Sequence, residues 1–183
     1  MNYSVEWLVN KINTGETVKY IQFWGHQPSK DGSLTATCFS QWWPSPFTVD
    51  GILYPSAEHW MMAGKARLFG DAVALEKILA SEKPAEAKAI GRTILNFDDV
   101  LWKKEGYPIV VQGSIHKFSS DPQLREFLLN TADRIIVEAS PVDAIWGTGH
   151  AKDHPNAERP WLWRGTNLLG FALMEARDAL RKK

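Results

Sequence analysis

The sequence predicts an α+β fold: a compact, mainly helical single domain with a small β-sheet and a hairpin. Three observations lead to this prediction. The chain has 183 residues, a length that one domain with a sizeable core can use. Segments with helical periodicity outnumber those rich in β-branched and aromatic residues. No internal repeat, low-complexity tract or linker divides the chain, so we expect one domain over residues 1–183.

The N-terminal part begins with a helix and continues into extended segments. Residues 3–13 are predicted as a short helix that Gly15 stops. The segment VKYIQFW, residues 18–24, has the composition of a strand. After a polar loop, TATCFSQWW at 35–43 is expected to form a second extended piece.

A hairpin and a helix follow. In FTVDGILYP, residues 47–55, two apolar runs flank Asp50-Gly51, which indicates a tight hairpin turn. Ser56 then has the position of an N-cap, and Glu58 lies in the first helical turn, where its charge suits the helix dipole.

The rest of the chain is predicted to consist mostly of helices. The segment 107–118 is ambiguous because its Ile and Val residues favour a strand, but its length favours a helix. The predicted elements are helices at 71–81, 84–92, 98–106, 107–118 and 121–132, a buried strand at 134–140, a loop-rich segment at 141–165 and a closing helix at 167–183.

The helix over residues 56–71 carries an unusual stripe. Glu58, Met62, Lys65 and Phe69 are spaced by four, three and four residues, so they share one face. A solvent-facing stripe does not normally hold Met and Phe, and a core stripe does not normally hold Glu and Lys. The mixture indicates a pocket wall with two partly desolvated ionisable groups. The alternative is an amphipathic helix whose Glu and Lys reach water past apolar neighbours.

Composition limits the classes of function. Lys and Arg total 21, as do Asp and Glu, so the net positive charge of a general nucleic-acid binder is missing and extended nucleic-acid contacts are not expected. A single cysteine, Cys38, excludes an internal disulfide. No apolar run has the length of a membrane span and the N-terminus lacks the pattern of a signal peptide. We therefore expect a cytoplasmic protein; the oligomeric state stays open.

Cofactor and metal motifs are missing or weak. The chain has no G-x-G-x-x-G, P-loop or G-x-S-x-G pattern, and we expect no cofactor. His150 and His154 are four residues apart with Asp153 between them, a spacing that could ligate a metal. They lie in a Pro-flanked loop and not on a regular helix, so no metal site is predicted.

Carboxylates, amines and tryptophans remain as candidates. Nine tryptophans are spread along the chain, and several, such as Trp24 in WGHQP, lie in loop-like sequence where they could stack on a flat base or a sugar. Lys117 in HKF, Glu138 at a strand end, and Asp143 with Trp146 in a Gly-containing loop are further candidates. Each has a plain structural interpretation, but together they fit a cleft for a polar, flat-ringed ligand.

Several blocks in one order resemble the YbiA-like family, also called NADAR proteins, from about residue 23 to residue 177. The blocks are FWGHQP, FSQWWPSPFTVDGILYPSAEHWMMAGKARLFGD, IGR, HKF, LLNTADRIIVEASPVDAIWGTG and GTNLLGFALMEAR. The resemblance implies a compact, mainly helical α+β fold and cleavage of an N-glycosidic bond to ribose. It also implies functional roles for a set of matching residues: Glu58, Lys65, Trp102, Lys117, Glu138, Asp143, Trp146 and Asn167.

Members of the family are associated with two kinds of substrate. The first is the ribosylamino-pyrimidine phosphates of riboflavin biosynthesis, our leading hypothesis. The second is NAD-derived ADP-ribose, including its removal from guanine. A non-catalytic module that binds ADP-ribose is the alternative from a different class, and a Trp-rich interaction domain is a fourth. In every ligand-binding case the partner is a small ribosyl or ADP-ribosyl molecule.

The resemblance and the chemistry together assign roles. Lys65 is the first choice for a nucleophilic amine and Lys117 the second. Glu58 would activate water or orient the ribose hydroxyls, and Asp143 would serve ribose binding or proton transfer. The residues expected to bind substrate are Trp24, Trp102, Glu138, Trp146, Asn167 and, for a phosphate, Arg92 or Arg67.

Overall fold

Helices account for most of the regular structure in the computed structural model, which describes residues 1–182. The elements in chain order are α1 (Val5–Asn13), β1 (Tyr20–Phe23), β2 (Phe47–Val49), β3 (Ile52–Tyr54), α2 (Ala57–Leu68), α3 (Ala72–Ala80), α4 (Pro84–Gly91), α5 (Asp99–Ser120), α6 (Pro122–Leu129), β4 (Ile135–Glu138) and α7 (Leu168–Arg181). The α+β class with a small sheet and a hairpin is confirmed. By their internal contacts, the residues form two compact units, 1–40 with 126–182, and 41–125.

The first unit (1–40 and 126–182) is built on a parallel pair of strands. β1 pairs with β4 in register from Tyr20 opposite Ile135 to Phe23 opposite Glu138. β4 is buried along its first three residues, as its run of β-branched side chains predicts. α7 packs directly on β4, since a Cβ at Gly170 would lie 2.1 Å from the Ile136 carbonyl oxygen. Only glycine allows this close approach.

Asn167 fastens the start of α7 to β4. Its side-chain oxygen accepts the Glu138 N–H at 2.9 Å, and its side-chain nitrogen donates to the Ile136 carbonyl at 3.0 Å. The residue is fully buried and its backbone is left-handed, with φ 52°, a conformation that Asn tolerates better than most residues. Asn167 therefore satisfies two backbone groups on β4 that the two-stranded sheet leaves unpaired.

The second unit (41–125) surrounds α2 with α3, α4 and α5. Seven of the twelve residues of α2 are buried, so this helix is covered on more than one side. The hairpin β2–β3 also belongs to this unit. Its turn residues Asp50 and Gly51 have φ values of 50° and 77°, as a type I′ turn requires, and the hairpin prediction is confirmed.

α2 and α5 run antiparallel and approach closely through glycines. A Cβ at Gly113 would lie 2.4 Å from the indole of Trp60, and one at Gly64 would lie 2.7 Å from Ile109. The Trp60 indole N–H donates to the Ile109 carbonyl at 2.8 Å. This hydrogen bond fixes the register between the two helices, because it ties a side chain of α2 to one backbone position of α5.

One prediction about local structure was wrong, and two segments that were each predicted as helical are joined into one helix. Residues 35–43 are not extended: Ala36–Phe39 forms a 3-10 turn that buries the adjacent Cys38 and Phe39, which an alternating strand cannot do. The two segments at 98–106 and 107–118 form one helix, α5, with Pro108 inside it. Pro108 and Lys104 are both exposed, so the carbonyl that loses its hydrogen bond can bond to water.

The other predicted helices and strands are confirmed within one to three residues at most ends. The Asp71 and Asp121 carboxylates cap α3 and α6. Ser56 is the N-cap of α2, but its hydroxyl bonds to the His59 Nδ1 at 2.8 Å and not to a backbone N–H. Burial lowers the pKa of His59, while the Ser81 backbone and Glu86 oppose that shift.

We expect Asn167→Ala to lower the free energy of unfolding by about 3 kcal/mol. The change leaves the Glu138 N–H and the Ile136 carbonyl without their partners, and it places Ala in a left-handed conformation. Urea denaturation would measure this, with the exposed Asn130→Ala as a control expected to change stability by less than about 0.5 kcal/mol. Equal effects of the two substitutions would contradict the role given to Asn167.

The lowered pKa of His59 predicts a loss of stability at acid pH. Below about pH 6.5 the unfolded chain binds a proton at this histidine, whereas the folded chain resists it, so stability falls as pH falls through that value. His59→Gln should reduce the slope of unfolding free energy against pH between neutral pH and the folded pKa. A variant whose slope equals that of the unsubstituted protein would contradict this account.

Candidate active site

Lys65 lies in the third turn of α2, inside a cage of aromatic rings and one carbonyl. Its Nζ donates to the Gly91 carbonyl at 2.7 Å. The same nitrogen lies 4.3 Å from the ring centroid of Phe97 and 5.5 Å from that of Trp102, both within cation–π range. We call Gly91, Phe97 and Trp102 together the Lys65 cage. The sequence predicted a partly desolvated amine on a wall with Met62 and Phe69, and the rings next to its Nζ are those of Phe97 and Trp102.

No carboxylate among residues 1–182 lies within ion-pair distance of the Lys65 Nζ. Burial lowers the pKa of its amine from the ordinary value near 10.5, and no charged group contributes to the shift. The cause is desolvation, which disfavours the charged form of an amine. A lysine in such surroundings offers a larger neutral fraction than an exposed one, and the neutral amine is the nucleophilic form.

Three residues of the stripe predicted on α2 are buried, and the fourth, Lys65, is half-buried. Glu58 is 4%, Met62 6% and Phe69 8% exposed, so the acid lies on the same face as the thioether and the phenyl ring. Met62 packs against Gly91, where a Cβ would lie 2.1 Å from the sulfur. This close contact brings α4 onto α2 and holds the Gly91 carbonyl within reach of Lys65.

Lys117 is a second amine in the same unit, and it is buried more deeply than the half-buried Lys65. It lies in the last turn of α5, is 1% exposed, and its Nζ is 5.1 Å from the ring centroid of Phe118. Because Trp60 of α2 lies against Gly113 and its ring is 5.0 Å from that of His116, the antiparallel register brings Glu58 to the level of Lys117. The sequence did not predict how deeply this lysine is buried.

Trp102, Arg92 and Arg67 complete the predicted residues of this unit, and the exposed Arg67 donates to the Tyr54 hydroxyl at 2.7 Å. Trp102 is half-buried on the first turn of α5 and packs against Gly106, where a Cβ would lie 3.0 Å from the indole. Arg92 directly follows α4 and is exposed. Gly91 therefore faces Lys65 while the next residue presents a cation to solvent.

The other predicted residues lie in the first unit, near the C-terminal ends of β1 and β4. Glu138 ends β4 and is half-buried, and Trp24, which follows β1, is 58% exposed. The C-terminal ends of parallel strands are a common place for ligands. Asn167 contributes here through its hydrogen bond to the Glu138 N–H, and it is too deeply buried to face solvent.

Asp143 and Trp146 are joined by one turn. The Asp143 Oδ1 accepts the N–H groups of Ile145 and Trp146, each at 2.8 Å. The Asp143 carbonyl also comes close to Gly147, where a Cβ would lie 2.9 Å away. This turn fixes the backbone of Trp146 relative to the carboxylate, so the two residues that the sequence grouped together belong to one turn.

His150 and His154 lie together, with ring centroids 4.0 Å apart and ring planes stacked. The His150 Nε2 is 3.0 Å from the Leu162 carbonyl, and the His154 Nδ1 accepts the Asn156 N–H at 3.1 Å. One nitrogen of each ring is therefore engaged. Across residues 1–182, no group of three or more His, Cys, Asp or Glu side chains is arranged to hold a metal ion.

The family model of the NADAR domain matches residues 22–181. The chain belongs to the NADAR domain family. The N-glycosidase R617 of Acanthamoeba polyphaga mimivirus is 40% identical over 168 residues, covering 89% of this chain and 97% of that protein. The NMR structure of Escherichia coli YbiA superposes with a TM-score of 0.69 at 29% identity, covering 91% of this chain and 88% of that one.

A third relative of this NADAR protein is larger. The maize chloroplastic riboflavin biosynthesis protein PYRR is 30% identical over 138 residues, which are 72% of this chain and 20% of PYRR. The resemblance predicted from the sequence motifs is confirmed. In the described part of this NADAR chain, no helix combines the length and hydropathy needed to cross a bilayer.

Two members of the Lys65 cage were missed by sequence reasoning. Gly91 was seen only as the middle of an IGR block, because nothing in the sequence shows that a carbonyl will face a side chain of another helix. Phe97 lies in the short turn between Ile94 and the N-cap of α5, in the polar run NFDD. A single apolar ring in such a run was the only available signal.

The Lys65 cage predicts that this lysine reduces stability at neutral pH. Because the pKa of Lys65 is lowered in the folded state, the charged amine lowers the free energy of unfolding at every pH below that pKa. The loss disappears above about pH 10.4, where the unfolded chain also gives up the proton. Lys65→Met should therefore raise the free energy of unfolding at neutral pH, and the gain should shrink as pH rises.

Thermal or urea unfolding at several pH values measures the effect. Lys103→Met is the matched control, since the Lys103 side chain is 74% exposed and pairs with the exposed Asp99. A Lys65→Met variant that loses stability at neutral pH, or whose effect is independent of pH, would show that the amine is well solvated.

Proposed function

We propose that this protein is an N-glycosidase that hydrolyses the C1′–N bond of ribosylamino-pyrimidine phosphates, the early intermediates of riboflavin biosynthesis. Membership of the NADAR family and relatives that are named N-glycosidases support the hydrolase class. The similarity to a maize protein of riboflavin biosynthesis supports the choice of substrate.

The observation that carries the proposal is the desolvated Lys65 amine. An amine without a carboxylate partner, held by one carbonyl and two rings, can act as a nucleophile when it is neutral. A carboxylate pair alone would suit hydrolysis through an oxocarbenium-like centre. The half-buried, desolvated amine adds a covalent route, and we assign Lys65 to it.

In the first step the Lys65 nitrogen uses its lone pair to form a bond to C1′. The C1′–N bond to the base breaks, its electron pair goes to the base nitrogen, and that nitrogen takes up a proton while Lys65 releases one. The ribose ring then opens: the C1′–O4′ bond breaks, O4′ gains a proton, and the Lys65 nitrogen becomes an imine. Water adds to the imine carbon and releases the sugar together with the regenerated amine.

Carboxylates serve the proton transfers. Glu58 lies on the same buried stripe as Lys65 and is assigned to activating water or orienting the ribose hydroxyls. Asp143 uses its Oδ1 to hold its own turn, so its other oxygen, Oδ2, is the one proposed to meet ribose or a proton. Lys117 is the second candidate for the amine, and its burial suits the same chemistry.

Tryptophans and one arginine would bind the rest of the substrate. Trp102 forms a wall of the Lys65 cage and so is suited to contact the sugar or the base next to the amine. Trp146 and the exposed Trp24 are proposed as stacking surfaces. Arg92, exposed beside Gly91, is proposed to meet the phosphate.

The substrate is tested by incubating the protein with a ribosylamino-pyrimidine phosphate and, separately, with ADP-ribosylated guanosine. Chromatography follows the free base. Release from the pyrimidine alone supports the proposal. Release of the base from ADP-ribosylated guanosine alone would contradict the proposal and assign ADP-ribose removal as the activity. Release from neither substrate, combined with thermal stabilisation by ADP-ribose, would favour a non-catalytic binding module.

The covalent route predicts a trapped sugar on Lys65. Borohydride added during turnover should reduce the imine and leave a ribosyl adduct on the Lys65 peptide, detected by mass spectrometry. Lys65→Arg keeps a cation but cannot form the imine, so we expect at least a roughly 100-fold loss of kcat, of the order seen when a catalytic group is removed. Lys103→Arg is the control and should leave kcat unchanged.

Glu58→Gln should lower kcat with little effect on the affinity for substrate, because the amide keeps the shape of the side chain but cannot accept a proton.

In the borohydride experiment, an adduct on Lys117, or on no lysine, would contradict the assignment to Lys65. Trapping on Lys117 would keep the imine route and move it to the other amine.

A further inference from the structure

The two rings of the Lys65 cage are held very differently. Trp102 packs against Gly106 of its own helix and is half-buried. Phe97 is 45% exposed and belongs to a run in which every residue from 95 to 100 is exposed. Its ring is anchored on one side by Phe69, with centroids 5.2 Å apart in an edge arrangement. Phe97 is therefore the wall of the cage nearest to solvent.

The backbone around Phe97 fixes where its ring lies. Asn96 has a left-handed backbone with φ 57°, which reverses the chain just before the ring. On either side of it the Leu95 N–H donates to the Asp71 carboxylate and Asp98 caps α5. The ring is thus carried by a short turn that is fastened at both ends, while the ring itself has an open face.

We propose that Phe97 is a positioning residue that keeps water from the Lys65 amine and holds this amine against the Gly91 carbonyl. This inference rests on the proposed function in taking Lys65 as the nucleophile, and it adds the side chain that prepares the amine for reaction. Phe97 is not expected to take part in proton transfer or to bond to the substrate.

Most charged groups on the segments that surround the cage have a partner of their own, and one is exposed. They are Asp71, bonded to the Ala74 and Leu95 N–H groups; Asp98, bonded to the Leu101 N–H; Asp99, paired with Lys103; Glu105, paired with Lys104; Arg67, bonded to the Tyr54 hydroxyl; Lys88, over the Trp42 ring; and Arg92, exposed. None of these carboxylates lies within ion-pair distance of the Lys65 Nζ. Desolvation by the apolar walls is therefore the main influence on this amine.

Two effects of the Phe97 ring oppose each other. Its face attracts a cation, which favours the charged amine, and its bulk excludes water, which disfavours the charged amine. Burial is the cause of the lowered pKa of Lys65, so we expect exclusion of water to be the stronger of the two effects. A side chain that excludes water without a ring should keep the pKa of the amine lowered, and a side chain that admits water should let the pKa rise.

The test is competitive labelling of the protein with acetic anhydride over a range of pH, with the Lys65 peptide quantified by mass spectrometry. Only the neutral amine reacts, so the midpoint of the labelling profile reports the pKa of the amine. A change in accessibility alters the rate of labelling but does not move the midpoint. Phe97→Ala should move this midpoint toward alkaline pH. If the midpoint rises by about one pH unit, the neutral fraction at neutral pH falls roughly tenfold. Phe97→Leu should keep the midpoint near that of the unsubstituted protein.

Val100→Ala is the matched control, because Val100 belongs to the same exposed run and is 78% exposed. Its labelling midpoint should not move. An unchanged midpoint in Phe97→Ala, or an equal alkaline displacement in Phe97→Leu, would overturn the inference. Far-UV circular dichroism of each variant establishes that the helices are retained before labelling is compared.

Kinetics separates this inference from the proposed function. If the protein cleaves the ribosyl substrate, Phe97→Ala should move the acid limb of its kcat profile by the same amount as the labelling midpoint. If no substrate is cleaved but the midpoint still moves, the inference holds and the proposed function fails. If cleavage is normal and the midpoint does not move, the inference fails alone.

Discussion

The close approach of α2 and α5 is the constraint on which the candidate site depends. Glycines at 64 and 113 allow the two helices to meet, and the Trp60 indole locks their register by bonding to the Ile109 carbonyl. This register places Trp102, at the start of α5, beside Lys65 near the end of α2. It places the buried last turn of α5 at the level of Glu58. A side chain at either glycine would force the helices apart and open both places to water.

The desolvated lysine has a thermodynamic consequence as well as a chemical one. An amine without a carboxylate nearby costs stability when it is charged, because rings and one carbonyl replace only part of its hydration. A purely structural core would place an apolar residue there. Close packing elsewhere in the unit, for example of Met62 against Gly91, offsets this loss of stability. A local loss of stability that is offset elsewhere is typical of functional sites.

Local chemistry was predictable from the sequence, and tertiary proximity was not. Periodicity predicted the α2 stripe, Asp50-Gly51 predicted the hairpin, and the motif blocks predicted the family. The 3-10 turn at Ala36–Phe39 was missed because apolar composition does not distinguish a tight turn from a strand. The Gly91 carbonyl and the Phe97 ring were missed because they reach Lys65 from segments about 30 residues away, a contact that only the packing of α4 and α5 on α2 determines.

The measurement that tests this account most directly is an NMR titration of the lysine side chains with isotope-labelled protein, assigned by a Lys65→Arg variant. Desolvation without a counter-charge predicts that the Lys65 signal titrates at a clearly lower pH than the signals of Lys103 and Lys104, which are exposed. A Lys65 signal that titrates together with those two lysines would mean that water reaches the amine freely. In that case the cage would be a feature of packing, and the nucleophile would have to be sought elsewhere.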